Sequence, residues 1–238
     1  MWTNWGFKVM CGMYFVDDEL ENDIERLIMM VNRERKQGAM VSLERTHDET
    51  AEIQGKTAEI QGVKAESQGI PRIGARIIRP TDMAPVLAGY KDGVIYRSVR
   101  WGLPGFQKGQ VIFNARCETA LERPTFRAGV RNSRIVIPAA HFFEWNARKE
   151  KNTFRRKDGK PLYFAGFCQG MGEDERFAML TTAANASMAP VHDRMPLILE
   201  ESEIEPWLYQ EDWTESLLRK IPGELSREAE YEQLSLFS

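Results

Sequence analysis

The sequence predicts an α+β domain built on a strongly bent, barrel-like and mainly antiparallel β-sheet with peripheral helices. Two observations carry this prediction. Short apolar runs closed by Gly, Pro or polar residues crowd the middle of the chain, and amphipathic helical periodicity occurs only near its ends. A third is length: 238 residues can bury one sizeable core.

Taken in order, residues 1–9 read as an extension, either a misassigned start or a removable leader, and the domain runs from 10 to 238. Asp17 to Val31 is an amphipathic helix, with Leu20, Ile24, Leu27, Ile28 and Val31 on one face and acids in its first turns. Residues 33–69 read as an expanded, low-complexity surface loop. It contains a repeat of seven residues (Thr50–Lys56, Thr57–Val63, Lys64–Ile70), but each unit has a glycine and too few apolar anchors for a coiled-coil seam. Strands are predicted at Val94–Val99, Arg134–Pro138, Leu162–Cys168 and Phe177–Thr182. Glu203–Leu218 closes the chain as a helix or helix pair.

No apolar stretch approaches the ~20 residues of a membrane span, so no membrane partner is expected. The three cysteines, Cys11, Cys117 and Cys168, form neither a disulfide framework nor a zinc pattern. A reducing cytoplasm is the expected compartment, and no metal or cofactor is expected. The net charge of −3 hides an asymmetry. Residues 71–160 hold 19 Lys/Arg against 7 Asp/Glu, a balance of +12, whereas 11–70 and 201–238 balance at −6 and −7. A basic middle between acidic ends suits a polyanion-binding face, or else a set of solvated loops whose charges mix in space.

Four segments place polar residues where a packed strand protein would not need them. They are Cys11, Asn114-Ala115-Arg116-Cys117-Glu118-Thr119, Glu144 between Phe143 and Trp145, and His192-Asp193-Arg194-Met195-Pro196. Two of them have a plainer reading: Asn114 as a turn former with Arg116 and Glu118 as a surface pair, and His192 as a hydrogen-bonded structural histidine. Glu144 resists one, because a carboxylate among aromatics is desolvated and its pKa rises unless it finds a partner. A thiol, a carboxylate and a histidine can form a nucleophilic site.

Six motifs in order, Met10-Cys11-Gly12, Pro80-Thr81-Asp82-Met83-Ala84-Pro85-Val86, Trp101-Gly102-Leu103, Asn114-Ala115-Arg116-x-Glu118-Thr119, Phe143-Glu144-Trp145 and His192–Pro196, resemble the SOS-response-associated peptidase family of abasic-site processing proteins. The resemblance runs from about Met10 to Trp207. It implies a single domain, acting as a monomer, with a basic cleft for single-stranded DNA containing abasic sites. Cys11 would be the residue that crosslinks to the abasic site, Asn114 would position its amine, Glu144 would handle protons and His192 would act on the sugar. Arg116 would meet a phosphate, Trp101 would offer a face to a base, and Thr181 would line the site. Arg97, Arg100, Arg127, Arg131 and Arg194 complete the expected DNA-binding pool. In a bacterium the protein would then associate with the nucleoid.

The chemistry is coherent. A chain-terminal cysteine has an amine (pKa about 8) beside its thiol (about 8.5). The amine and an abasic-site aldehyde give an imine, and the thiolate closes a thiazolidine. His192, with an ordinary pKa near 6.5, suits protonation of the sugar oxygen. Two departures bear on this. Met13 stands where many members have arginine, and Cys117 stands where alanine is usual. Three other readings stay open: a class II glutamine amidotransferase that also begins Met-Cys-Gly, a non-covalent single-stranded-DNA binding module, and a protease acting on its own leader.

Overall fold

The computed structural model describes residues 12–45, 70–91 and 93–230, with backbone only at 38–45 and 173. The elements are β1 (Met13–Val16), α1 (Glu19–Arg45), β2 (Arg76–Ile78), β3 (Met83–Tyr90), β4 (Gly93–Trp101), β5 (Leu103–Pro104), β6 (Val111–Ile112) and β7 (Asn114–Arg116). There follow α2 (Cys117–Ala120), α3 (Pro124–Asn132), β8 (Arg134–Ala139), β9 (His141–Trp145), β10 (Lys151–Arg156) and β11 (Leu162–Gln169). The chain continues with β12 (Arg176–Ala183), β13 (Arg194–Pro196), β14 (Ile198–Leu199), α4 (Glu201–Tyr209), α5 (Glu211–Leu218) and β15 (Leu225–Ala229).

Two sheets share one core. The larger bends until β3, β4, β12, β11 and β8 form a closed ring of hydrogen-bonded neighbours. Its pairings are antiparallel except where β12 runs parallel to β4 and to β7. The smaller sheet has the order β15-β10-β9-β1-β2. Alternation on β1 sends Tyr14 and Val16 inward, where Tyr14 meets Trp101 and Phe164 at ring separations of 5.3 and 5.9 Å. β8 and β11 are buried along almost their whole length, which is why they read as continuous apolar runs.

The Asp17 carboxylate accepts the Leu20 N–H at 3.0 Å and caps α1, whose Leu20, Ile24, Leu27 and Val31 enter the core. The helix does not stop at Val31. It continues to Arg45, into the stretch expected to be a loop. The continuation is held by polar contacts that periodicity does not register. Asn32 Oδ1 accepts the Val94 N–H at 2.6 Å, and the Arg35 guanidinium lies 3.4 Å over the Tyr209 ring and 3.3 Å from Glu205. Gly93 is required beside this contact, since at φ +140° a Cβ would fall 2.3 Å from Asn32 Oδ1. The rest of the expected loop, 46–69, and the extension 1–9 lie outside the described residues.

α4 and α5 are the expected helix pair, and α4 opens with a reciprocal capping box between Glu200 and Glu203. Arg134 is buried where α3 meets β8. It donates to Val130 O at 3.1 Å and Arg131 O at 2.6 Å, and also to Trp207 O, so it caps α3 and fastens α4. Among the described residues no helix is long and apolar enough to cross a membrane.

The outer face of the smaller sheet carries His141, stacked 4.7 Å from Phe15, with Arg155 Nη1 2.7 Å from its Nδ1. Burial, and after it the charges of Arg155 and Lys151, push His141 down to about 4. The unfolded chain takes up this proton near pH 6.5, whereas the folded chain resists until about 4. Stability is therefore expected to fall as pH drops through that window. His141→Phe, which keeps a stacked ring, should flatten this part of the pH profile in urea unfolding. An equal loss in both proteins would remove His141 as the cause.

Candidate active site

The site is assembled around β12. β7 lies parallel to it, with Asn114 opposite Met179 and Arg116 opposite Thr181. β13 lies antiparallel to it, with Thr181 opposite Pro196 and Ala183 opposite Arg194. The carbonyl of Phe113 accepts both the Met179 N–H at 3.0 Å and the Trp101 indole N–H at 2.8 Å, which fixes the residue before Asn114.

The loop of small residues before His192 is organised by Asn185. Its side chain donates to Gly223 O at 2.7 Å and accepts from Met188 N at 3.0 Å and Ser187 Oγ at 2.7 Å. His192 is buried at 3% exposure. Its Nδ1 accepts the Arg194 N–H at 3.0 Å, which in the neutral ring puts the proton on Nε2. Asp193 Oδ1 lies 2.8 Å from the same Nδ1 and becomes the partner when the ring is protonated.

Arg194 binds Glu118 with both guanidinium ends, Nη2 lying 2.8 Å from Oε2, and Nη2 also donates to Thr181 O at 2.6 Å. This fork holds Glu118 below its ordinary pKa. It replaces the surface pair of Arg116 and Glu118 and leaves Arg116 exposed. Thr181 is buried and donates to Ala115 O at 3.3 Å. Cys117, next to Arg116, is buried and its thiol is pushed up to about 12, so it stays protonated near neutral pH.

Glu144 comes from the other sheet. It lies on β9 between β1 and β10, is 3% exposed, and accepts the Trp145 N–H at 3.3 Å. The aromatic row Tyr14, Trp101 and Phe113 connects this sheet to Asn114, with Trp101 lying 5.3 Å from Tyr14 and 5.8 Å from Phe113. Cys11 lies outside the described residues, two positions before β1.

One expected role meets a clear obstacle. Trp101 is fully buried, packed between Tyr14, Phe113 and Phe177, and has no face to offer a base. The exposed aromatic on the chain's approach to Asn114 is Phe106, 78% exposed at the turn between β5 and β6. Sequence reasoning passed over it, although Gly105-Phe106-Gln107-Lys108-Gly109 is an aromatic in a turn sequence beside a cation. The arginines also divide. Arg97 is paired with Glu175, Nη1 lying 3.1 Å from Oε1. Arg127 donates to Leu121 O and Glu122 O at 2.7 and 3.0 Å, and Arg131 lies 3.8 Å from Glu211. Arg100 is exposed and donates to Thr81 O at 2.6 Å.

Residues 10–235 match the family model described as SOS response associated peptidase. The chain is 32% identical over 152 residues to abasic site processing protein YoaM of Bacillus subtilis, covering 57% of this chain and 67% of the relative. To abasic site processing protein YedK of Escherichia coli it is 30% identical over 148 residues, covering 58% and 66%. These matches span about two thirds of the relatives' length. A crystal structure of a Bordetella bronchiseptica protein aligns at TM-score 0.57 and 25% identity, over 68% of this chain and 89% of that one. A phage-related protein of the same organism aligns at TM-score 0.58 and 22% identity, over 68% and 84%, a likeness of fold.

Trp101→Ala is expected to cost about 3–5 kcal/mol of unfolding free energy in urea titration, as for other large core aromatics. Phe106→Ala should leave stability unchanged within about 0.5 kcal/mol. The reverse ranking would mean that Trp101 is not the packing element described.

Proposed function

The chain belongs to the SOS response associated peptidase family, and on that premise we propose that it processes abasic sites, binding them in single-stranded DNA and linking covalently to them through Cys11. The observation that carries this reading is the fork of Arg194. The guanidinium joins Glu118, two residues past Arg116, to the Thr181 strand, and the Arg194 backbone N–H reaches His192 Nδ1, so the three segments form one polar cluster.

In this mechanism Cys11 is the first residue of the working chain. Its free amine attacks C1′ of the open-chain sugar, water leaves, and an imine forms. The thiolate then adds to the imine carbon and the nitrogen takes a proton, giving a five-membered thiazolidine in which the carbon is held by two bonds to the protein. His192 acts as the imidazolium, its Nδ1–H on Asp193, and gives its Nε2 proton to the ring oxygen as the sugar opens, which leaves the ring neutral. Glu144 takes and returns protons at the amine, and Asn114 orients it. Self-removal of the residues ahead of Cys11 would generate the amine, and elimination from the imine would cleave the strand.

Binding of the DNA itself is electrostatic and indifferent to base identity. Exposed Arg116 and Arg100 meet phosphates, and Phe106 takes the base-stacking role expected of Trp101. Arg97 is spent on Glu175, while Arg127 and Arg131 are exposed and, like Arg100, have protein partners.

Intact-mass measurement tests the proposal. A chain beginning at Cys11 is expected to gain the mass of a single-stranded oligonucleotide bearing an abasic site, less water, and Cys11→Ala to gain nothing. Equal adducts in both proteins would overturn the role of Cys11. Glu144→Gln and His192→Ala should slow adduct formation and alter its pH dependence; unchanged kinetics would remove their roles.

Arg116→Ala should weaken binding of an undamaged oligonucleotide and lower the slope of log K against log salt by about 0.7, the value for one single-strand phosphate contact. An unaltered slope would take Arg116 off the phosphate.

A further inference from the structure

Asn152 is a polar residue on the inward face of an otherwise apolar pairing. In the antiparallel register of β9 and β10 it stands directly opposite Glu144, as Phe154 stands opposite Phe142. Both members of the polar pair are buried, Asn152 at 1% and Glu144 at 3% exposure. Directly opposed residues of an antiparallel pair hold their Cβ atoms about 4.5–5.5 Å apart, within reach of an amide and a carboxyl.

The amide of Asn152 has a fixed orientation. Its Nδ2 donates to Glu150 O at 2.9 Å. Glu150 is itself held by the hairpin turn, where Asn146 Oδ1 accepts the Glu150 N–H at 3.0 Å and Asn146 Nδ2 donates to the Glu150 carboxylate at 2.5 Å. The other end of the Asn152 amide, Oδ1, is buried without a hydrogen-bond partner. An acceptor without a donor beside a carboxyl favours one protonation state. It repels the carboxylate, and it accepts a hydrogen bond from the carboxylic acid O–H.

We propose that Asn152 is a positioning residue for Glu144, its amide oxygen accepting the O–H of the protonated carboxyl and holding that acid in place within the site. This rests on the reading of Glu144 as the group that handles the proton of the Cys11 amine. The flanking strands bring to Glu144's face Tyr14 from β1 and the uncharged Asn152 and Phe154 from β10. The cations of β10 nearest in sequence turn to the outer face, Lys151 over the Phe143 ring at 4.2 Å and Arg155 on His141. Beyond β10, Arg227 of β15 stands opposite Phe154. Arg156 is occupied by Asp158 and Glu200.

The test follows the Glu144 carboxyl carbon by NMR in protein labelled with ¹³C-glutamate and free of DNA, the resonance being identified by its loss in Glu144→Gln. Asn152→Leu replaces the amide with an apolar group of similar volume. The Glu144 midpoint is expected to fall by about one pH unit in this variant, a tenfold loss of proton affinity. Equal midpoints, or a higher one in the variant, would overturn the proposal. Should Asn152→Leu fail to fold, Asn152→Ala is titrated in the same way with the same outcomes.

Crosslinking rates against pH in the two proteins then separate the two claims. A lowered midpoint without crosslinking by the wild type would sink the functional reading and leave the pairing standing. Crosslinking with equal midpoints would sink the pairing alone.

Discussion

The burial of a single indole organises this molecule. Trp101 ends β4 with Tyr14 of β1, Phe113 ahead of β7 and Phe177 of β12 around it, and its N–H is spent on the carbonyl of Phe113. A buried indole without an acceptor would carry an unpaired donor, so the ring and the carbonyl must stay in register. The consequence is positional. Asn114 follows the residue whose carbonyl is fixed, and Cys11 precedes by three positions the tyrosine that touches the ring. The smaller sheet and the closed ring of strands meet at this contact, and the candidate site lies around it.

Electrostatics act on top of that frame by committing charges. The basic balance of residues 71–160 suggests a broad cationic surface, yet much of it is consumed inside the fold. Arg134 caps a helix in the interior, Arg97 binds Glu175, and Arg156 lies between Asp158 and Glu200; outside that stretch, Arg194 is forked onto Glu118. Exposed ion pairs contribute about 0–1 kcal/mol; those of Arg194 and Arg156 gain more from their bidentate geometry and partial burial. What remains for a polyanion is narrower than the composition implies, and it includes Arg116, whose neighbour in sequence, Glu118, is already occupied.

Much of this was legible in the sequence. Apolar runs closed by turn residues gave β4, β8, β11 and β12, and the segments of Asn114, Glu144 and His192 stood out because strand packing has no need of them. The approach of the Asn114 and His192 segments is not legible there, since it depends on β12 pairing with β7 and β13 at once, and Glu144 belongs to β9 of the other sheet. α1 was read short because Asn32 and Arg35 extend it through polar contacts, and hydrophobic periodicity does not register those. The stacking role expected of Trp101 comes from the family resemblance alone, which carries no information on burial. Burial separates such a residue from Phe106, and burial is a property of the fold rather than of the segment. Asn152 carries no signal in the sequence, because its place opposite Glu144 is set by the register of β9 and β10.

Buried polar groups in a strand core persist only when something satisfies them. The Phe113 carbonyl, Thr181 and the two Nη ends of Arg194 are satisfied by protein, and they form the scaffold. His192 differs, because its Nδ1 has two partners that demand opposite protonation states: the Arg194 N–H requires a bare nitrogen, and the Asp193 carboxylate requires a protonated one. Neither state leaves Nδ1 without a partner, so the ring can gain or lose its proton with its orientation preserved. That property suits the proton-donating role proposed for His192.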